Sequence, residues 1–502
     1  MPASPLRHIL VLVLALTGSA LSACIVGPDY KGPPSVASEA VSAPGFHRAE
    51  DLLAAPPPSR WWTALGDLEL NQLEDEAFAA SPDLDIAKAR LWQSRAGLKK
   101  SRADLLPTTE ASALYLRTKG LTNAFGGASQ GASTTGGAAA ASQQTSGSDT
   151  LAFYDVGFDA TWELDLFGGQ RRAIEGAKAE AGAAEANLHD VEVSLSAEVA
   201  QAYVSLCDLQ QRLALAQRDV DIQSRMLALT RLRRAGGSAT DLDVERLTNQ
   251  LQSTQADAVP LKAQVAEQLD RLAILTGQAP GALDQELKAP SPIPAPPAQV
   301  AVGDPASLLR RRPDIRAAER AIVQKNALIG QHTADLFPKV QLLGNLGYGS
   351  TDVANLLTGE NFSYVVAPVL QWRPFDFGRI KAQIDEAKGE RAEAIANYRK
   401  TVLGALDDAE TALARFNRQQ ESVVSLAAVQ GSAERASTLT ARRVQGGTAT
   451  TLDQLDAERQ RVNAETNLSQ ARAGLTQDFI ALQKSLGLGW EGSDAELKTA
   501  RP

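Results

Sequence analysis

The chain has 502 residues, 44% of them hydrophobic and only 5% aromatic, with a formal net charge of −9. That length suggests two to four domains, and an acidic balance without a basic block argues against nucleic acid as a partner. Four His and two Cys leave little material for a metal site, and no nucleophile or Gly-rich phosphate loop stands at a credible spacing; an enzyme, a cofactor or a bound metal is not expected.

Arg7 and His8 form a weak positive start, and Ile9 to Leu16 is an apolar run too short to span a bilayer, as in a signal peptide. Leu21-Ser22-Ala23-Cys24 follows. It resembles the bacterial lipobox, which implies removal of residues 1–23 and acylation of Cys24, palmitate included. Ile25 after the Cys, rather than Asp, favours the outer membrane in that resemblance. The alternative is a plain secretory signal with an incidental Cys. If Cys24 is acylated, Cys207 stands alone and no intrachain disulfide can form. Acyl chains alone hold reversibly, so a second membrane contact is expected, yet no later run approaches the roughly 18 apolar residues of a transmembrane helix.

Residues 24–60, rich in Pro, Ala and Ser, read as an extended lipid-anchored tether. Trp61-Trp62 opens a short helix. Pro82 then starts a longer one, Pro being favoured in a first turn, and it runs to Pro107. Pro313 to Pro338 repeats that frame: 107−82 and 338−313 are both 25, at an offset of 231. After each second Pro the period changes to two. Tyr154, Val156, Phe158, Ala160, Trp162 and Leu164 form one apolar face, and Tyr364, Val366, Pro368, Leu370 and Trp372 another. With Val340 to Tyr348 and the weaker Thr109 to Arg117 they predict four strands of about ten residues, the length and pattern of transmembrane β-strands. Two soluble hairpins would share that pattern. Between the first two strands, Gly120 to Ser148 is a low-complexity loop.

From Trp162/Trp372 onward the halves stay in register at an offset of 210 (372−162), through Gly237/Gly447 to Gly277/Gly487. The chain is therefore an internal duplication. Its expected parts are a first repeat at 61–288 (β-hairpin 107–166, long helical hairpin 168–277), a Pro-rich linker at 289–306, a second repeat at 307–487 (β-hairpin 338–376, helical hairpin 378–486) and a tail at 488–502. Residues 170–234 and 380–444 are each 65 long, about 98 Å as helix. Heptad stripes at Val199, Leu206, Leu213, Val220 and Leu227, and at Val402, Ala409, Phe416 and Val423, want partner helices. Each long helix stops on paired glycines, Gly236-Gly237 and Gly446-Gly447, which accept positive φ. Ser238 and Thr448 follow, placed to cap the next helix.

Four membrane strands cannot close alone, since the smallest outer-membrane barrels have eight and unpaired edges cannot face lipid. Several copies sharing one barrel, continued by long helices, would make a hollow conduit. Cys24-Ile25-Val26-Gly27-Pro28-Asp29-Tyr30, Trp162-Glu163-Leu164-Asp165-Leu166-Phe167-Gly168 and Arg443-Val444-Gln445-Gly446-Gly447-Thr448 with Leu452-Asp453-Gln454-Leu455-Asp456 resemble the TolC family of outer-membrane efflux factors, in its lipoprotein branch. The resemblance covers nearly the whole mature chain. It implies a mainly α fold with membrane β structure: a homotrimeric α-barrel continuous with a shared twelve-stranded β-barrel, four strands per chain, and a mixed equatorial belt. It implies an outer-membrane channel exporting small molecules, drugs or toxic compounds among them, with a periplasmic adaptor and an inner-membrane pump of the proton-driven RND type as partners. A type I protein secretion channel and, less well matched, a periplasmic adaptor lipoprotein are the alternatives.

Carried over residue by residue, Gly236, Gly237, Ser238, Gly446, Gly447 and Thr448 become adaptor-docking tips. Asp453 and Asp456, three apart on one helix face, become a periplasmic gate, with Asp243 equivalent to Asp453. Where some members latch the gate with a Tyr before the turn and an Arg after it, this chain has Val444 and Ala449, which leaves a looser gate or a latch through Arg442 or Arg443.

Overall fold

The computed structural model describes residues 25–49, 58–119, 150–297 and 299–490. The signal peptide, Cys24, the low-complexity loop and most of the C-terminal tail lie outside the described residues. After a 3₁₀ turn at Trp61–Leu65 come helices α1 (Leu68–Ala80) and α2 (Pro82–Ala103), strands β1 (Thr108–Lys119) and β2 (Thr150–Leu164), and helices α3 (Gly169–Ala235) and α4 (Asp241–Leu275). The short α5 (Pro305–Arg311) precedes a second series: α6 (Pro313–Ala334), β3 (Lys339–Ser350), β4 (Phe362–Gln371), α7 (Arg379–Gln445) and α8 (Thr451–Ser485).

The duplication is literal in the element lengths. The opening helices α2 and α6 have 22 residues each, the long helices α3 and α7 have 67, and the returning helices α4 and α8 have 35. At 1.5 Å per residue the long helices each reach about 100 Å. Helices α2 and α6 end a turn before the expected prolines. The residue before a Pro avoids the α region, so the chain tightens instead: the Leu106 and Phe337 amides donate to the carbonyls three residues back, Ala103 and Ala334.

The chain forms two compact units, residues 1–31, 95–179 and 323–392, and residues 32–94, 180–322 and 393–502. The first holds one antiparallel sheet in the order β1-β2-β3-β4. Its register transfers between repeats: Thr108 opposite Thr161 becomes Lys339 opposite Gln371 at the offsets of 231 and 210. A pairing that periodicity could not show, β2 with β3, joins the hairpins, with Trp162 opposite Leu342. Alternation then sorts the side chains. Phe158, Leu346, Tyr364, Val156, Tyr348, Phe362, Tyr115 and Tyr154 share one face with Trp162, Leu342 and Leu370, while Glu110, Asp159, Asn345 and Ser112 share the other. From the Tyr154 row to the Trp162 row is eight residues, about 26 Å, close to the apolar band of an outer-membrane strand. Trp162 and Trp372 each donate an indole N–H to the carbonyl of the turn before the preceding strand, Leu105 at 2.8 Å and Leu336 at 3.1 Å.

The second unit carries the helical core. On α3, Val199, Leu206 and Leu227 of the heptad stripe are buried, Leu213 and Val220 half-buried. On α7, Val402, Ala409, Leu413 and Phe416 are all fully buried. Cys207 is a free, buried thiol that burial pushes up to about 12. Leu488 and Trp490, beyond the last helix, pack into this core as well, Trp490 lying 4.4 Å from the His189 ring. Among the described residues no helix is long and apolar enough to cross a membrane.

Candidate functional site

The two glycine turns lie within the second unit, and each closes in the same way. Gly237 has φ +74° and Gly447 φ +71°. The Ser238 amide reaches back to the Arg233 carbonyl at 2.8 Å and the Gly237 amide to Arg234 at 2.9 Å; in the second copy Thr448 reaches Arg443 and Gly447 reaches Val444 at 2.9 and 3.1 Å. These paired bonds are the Schellman closure that a left-handed glycine permits. Nothing lies within 4 Å of a methyl added at either glycine. Gly447→Ala therefore meets only backbone strain, about 1–2 kcal/mol, and is expected to speed amide exchange locally in the second turn without disturbing helix packing.

Ser238 and Thr448 do not cap the following helices. Their hydroxyls turn back onto the carbonyls of Arg233 and Arg443, at 3.1 and 3.2 Å. The caps are Thr240 and Thr450, each inside a reciprocal capping box with Asp243 or Asp453. Asp453 accepts the Thr450 amide and hydroxyl, both at 2.8 Å, and its own amide donates back at 3.1 Å. Hydrogen bonds to Thr240 and Thr450 hold both carboxyls below the usual carboxylate range. A lowered folded pKa stabilises the box above the unfolded value, about 3.9, and that contribution disappears as pH falls through the folded value. Acidification below about pH 4 is thus expected to fray the first turns of α4 and α8, seen as faster exchange at the Asp243 and Asp453 amides.

Asp456, one turn beyond Asp453, is placed differently. Half exposed, it pairs with Arg459 at 2.8 Å and accepts from the Gln460 side-chain Nε2 at 2.8 Å. It lines a cleft of about 540 Å³ with Leu242, Arg246, Asn249 and Leu455. A second cleft, of about 420 Å³, is lined by Ser238 and Asp243 from the first turn and Ala449 and Thr450 from the second, so the two turns stand side by side. Below them Met226, Leu227, Val244, Leu247 and Leu455 form one apolar cluster that takes a residue from the second hairpin into the first. Deeper still, Arg461 of α8 is clamped between Glu458 and Glu465, and Glu458 also accepts the Ser437 hydroxyl at 2.7 Å.

Three arginines brace the turns: Arg443, one of the two latch candidates, and Arg233 and Arg234, which the spacing did not single out; of these contacts, the one from Arg233 crosses between the hairpins. Arg234 pairs with Asp241 at 2.5 Å, and the Arg233 guanidinium donates to the Thr451 hydroxyl of the other hairpin. Arg443 donates to the Thr448 carbonyl at 3.3 Å. At the 210 offset Arg234 and Asp241 become Val444 and Thr451, and Asp456 becomes Arg246, so the two copies carry different charge. The available signals were a basic last turn and an acidic first turn, which suit the helix dipole. Among the described residues no group of three or more His, Cys, Asp or Glu could hold a metal.

Comparison with known proteins agrees in extent with this architecture. A family model described as outer membrane efflux protein matches residues 73–278 and 305–488. The pyoverdine export outer membrane protein OpmQ of Pseudomonas aeruginosa is 29% identical over 478 residues, 94% of this chain and 97% of its own. The antibiotic efflux pump outer membrane protein ArpC of Pseudomonas putida is 27% identical over 483 residues, 96% of each chain. The solved outer-membrane channel OprN superposes with a TM-score of 0.79 at 34% identity, covering 93% of this chain and all of that one.

Proposed function

The chain belongs to the outer membrane efflux protein family, and we propose that it works as a homotrimer whose twelve strands close one barrel. It is an outer-membrane efflux channel; the assembly, the partners and the site roles that follow are our reading. The open sheet carries it. Among the described residues β1 and β4 are each paired on one side only, the strands present one apolar face, and such edges cannot remain open in lipid. Phe377 is 94% exposed and Leu106 64% exposed. Their counterparts in the first and second repeats, Phe167 and Phe337, stack at 4.6 Å, so Phe377 suits Leu106 of the partner subunit.

In the assembled protein the paired turns at Gly236, Gly237, Ser238, Gly446, Gly447 and Thr448 dock a periplasmic adaptor, which connects to an inner-membrane pump of the RND type. They are exposed, rigidly capped and nearly free of bulky side chains, which suits close approach by a partner's backbone. Asp456 lines the periplasmic gate, with Asp453 and Asp243 capping the helices that frame it. Acyl chains on Cys24 add a second membrane contact to the strands. The cargo is small molecules, toxic compounds or antibiotics, in keeping with the similarity to ArpC.

The internal repeat supplies the experiment. Carrying the β2–β3 pair Ala160–Gly344 forward by 210 on one strand and back by 231 on the other (160+210 and 344−231) places Leu370 opposite Ala113 of the partner subunit. A protein with Leu370→Cys and Ala113→Cys is expected to form disulfide-linked trimers in the outer membrane, and either single variant should not. Linkage only at a shifted pair, Leu370 with Ala111 or Tyr115 of the partner subunit, would refute the register. Exclusively monomeric protein would refute the assembly.

A further inference from the structure

The segment directly after Cys24 is seated rather than loose. The Val26 amide donates to the Phe167 carbonyl at 3.1 Å. Arg172, in the first turn of α3, has a side chain only 5% exposed that turns toward the same segment. Its Nε donates to the Val26 carbonyl at 3.2 Å, and its terminal nitrogens donate to the Gly27 carbonyl at 3.3 Å, to Asp29 at 2.6 Å and to Glu175 at 2.7 Å. Asn326 of α6 donates to the Pro28 carbonyl at 2.7 Å, while its own oxygen accepts from Arg391 at 3.1 Å. Three successive carbonyls and one amide of an otherwise exposed peptide are thus satisfied by groups 141 to 298 residues away (167−26 and 326−28).

Glycines from three segments allow the approach. Gly27 has φ +90°, and a methyl on it would stand 2.4 Å from the Gly330 Cα. A methyl on Gly330 would meet the Arg172 side chain at 2.8 Å, and one on Gly168 would meet Ile25 at 3.0 Å. A free tether would need none of these. An arginine suits the task because its fixed fork of donors can serve several acceptors at once.

We propose that Arg172 is the positioning residue of the membrane anchor. It fixes Ile25 to Asp29 at the junction between β2 and α3, so that the acyl chains carried by Cys24, one peptide bond away, enter lipid beside the end of the strands. The seat thereby presents anchor and strands to the bilayer together, and it gives Val26-Gly27-Pro28-Asp29 a role in insertion. The role rests on the acylation of Cys24 proposed above.

Amide exchange on the detergent-purified full-length protein, with mass measurement of its N-terminal peptide, tests the seat and the acylation separately. In the wild type the Val26 amide should exchange roughly a hundredfold more slowly than an exposed amide. Gly27→Ala, which alters only the peptide, and Arg172→Gln, which alters only the seat, should both abolish that protection, with acylation and the exchange of α7 unchanged. Fast Val26 exchange in the wild type, or protection retained in both variants, overturns the seat. An unacylated Cys24 beside a protected Val26 overturns the anchor role and leaves the seat standing. Insertion supplies the third readout. Cross-linkable oligomers should appear about tenfold more slowly in Gly27→Ala, matching a Cys24→Ser protein exported by an ordinary signal peptide. A wild-type insertion rate in Gly27→Ala with a released peptide overturns the positioning role.

Discussion

Truncating Phe479 to Ala is expected to destabilise the protein by about 3–5 kcal/mol, the usual cost of removing a buried aromatic. Phe479 is 2% exposed and joins three distant stretches of chain. Its ring meets Trp61 edge-on at 6.0 Å and Phe416 of α7 at 6.2 Å, while Trp61 meets Trp62 at 5.8 Å and Trp62 stacks on Phe78 at 5.7 Å. Offset and edge-on aromatic pairs add to simple burial, and a cavity left among rings held by three segments cannot readily collapse. Val424→Ala supplies the control. That side chain lies on the same helix as Phe416 but is 72% exposed, and its loss should stay within about 0.5 kcal/mol. Denaturant unfolding of the two purified variants measures the difference, and equal midpoints would mean that the aromatic cluster does not hold the unit.

The second large effect separates two aspartates that sequence spacing groups together. Asp456→Ala should raise single-channel conductance and weaken block by trivalent cations about tenfold. Asp456 is paired with Arg459, so its removal deletes a carboxylate and leaves an unpaired guanidinium in each subunit of the trimer proposed above; a tenfold change corresponds to about 1.4 kcal/mol. Asp453→Ala should do much less to conductance, because its carboxylate is held by the Thr450 amide and hydroxyl; its effect should be fraying at the start of α8. Equal effects of the two variants on trivalent block would place both carboxylates in the mouth. Block unchanged in Asp456→Ala and in Asp453→Ala alike would remove the acidic ring.

Much of the fold was legible because punctuation and periodicity carry it. Paired glycines and matched Pro-to-Pro frames set the helix lengths, and alternation around Trp162 and Trp372 marked the strands. Interactions between distant residues of similar local grammar were not legible. Ser238 and Thr240 are both good N-caps, and the choice falls to Thr240 only because the turn closes through the Arg233 carbonyl and takes the Ser238 hydroxyl with it. An Asp three residues after a Thr fits an acidic ring and a capping box equally well, and the folded chain shows the box, in which Asp453 accepts the Thr450 amide and hydroxyl. Arg172 gave no signal in the sequence, since its acceptors are backbone carbonyls more than 140 residues away. The β2–β3 pairing was hidden for the same reason, although the two offsets already contained the register of β3 against β4.

Planar-bilayer recording from the purified full-length protein tests the proposed conduit most directly. A trimeric conduit should give discrete, uniform conductance steps that appear only when cross-linkable trimers are present and that rise with Asp456→Ala. Cross-linked trimers that insert into the bilayer yet leave it electrically silent, in both the wild type and the Asp456→Ala protein, would contradict it.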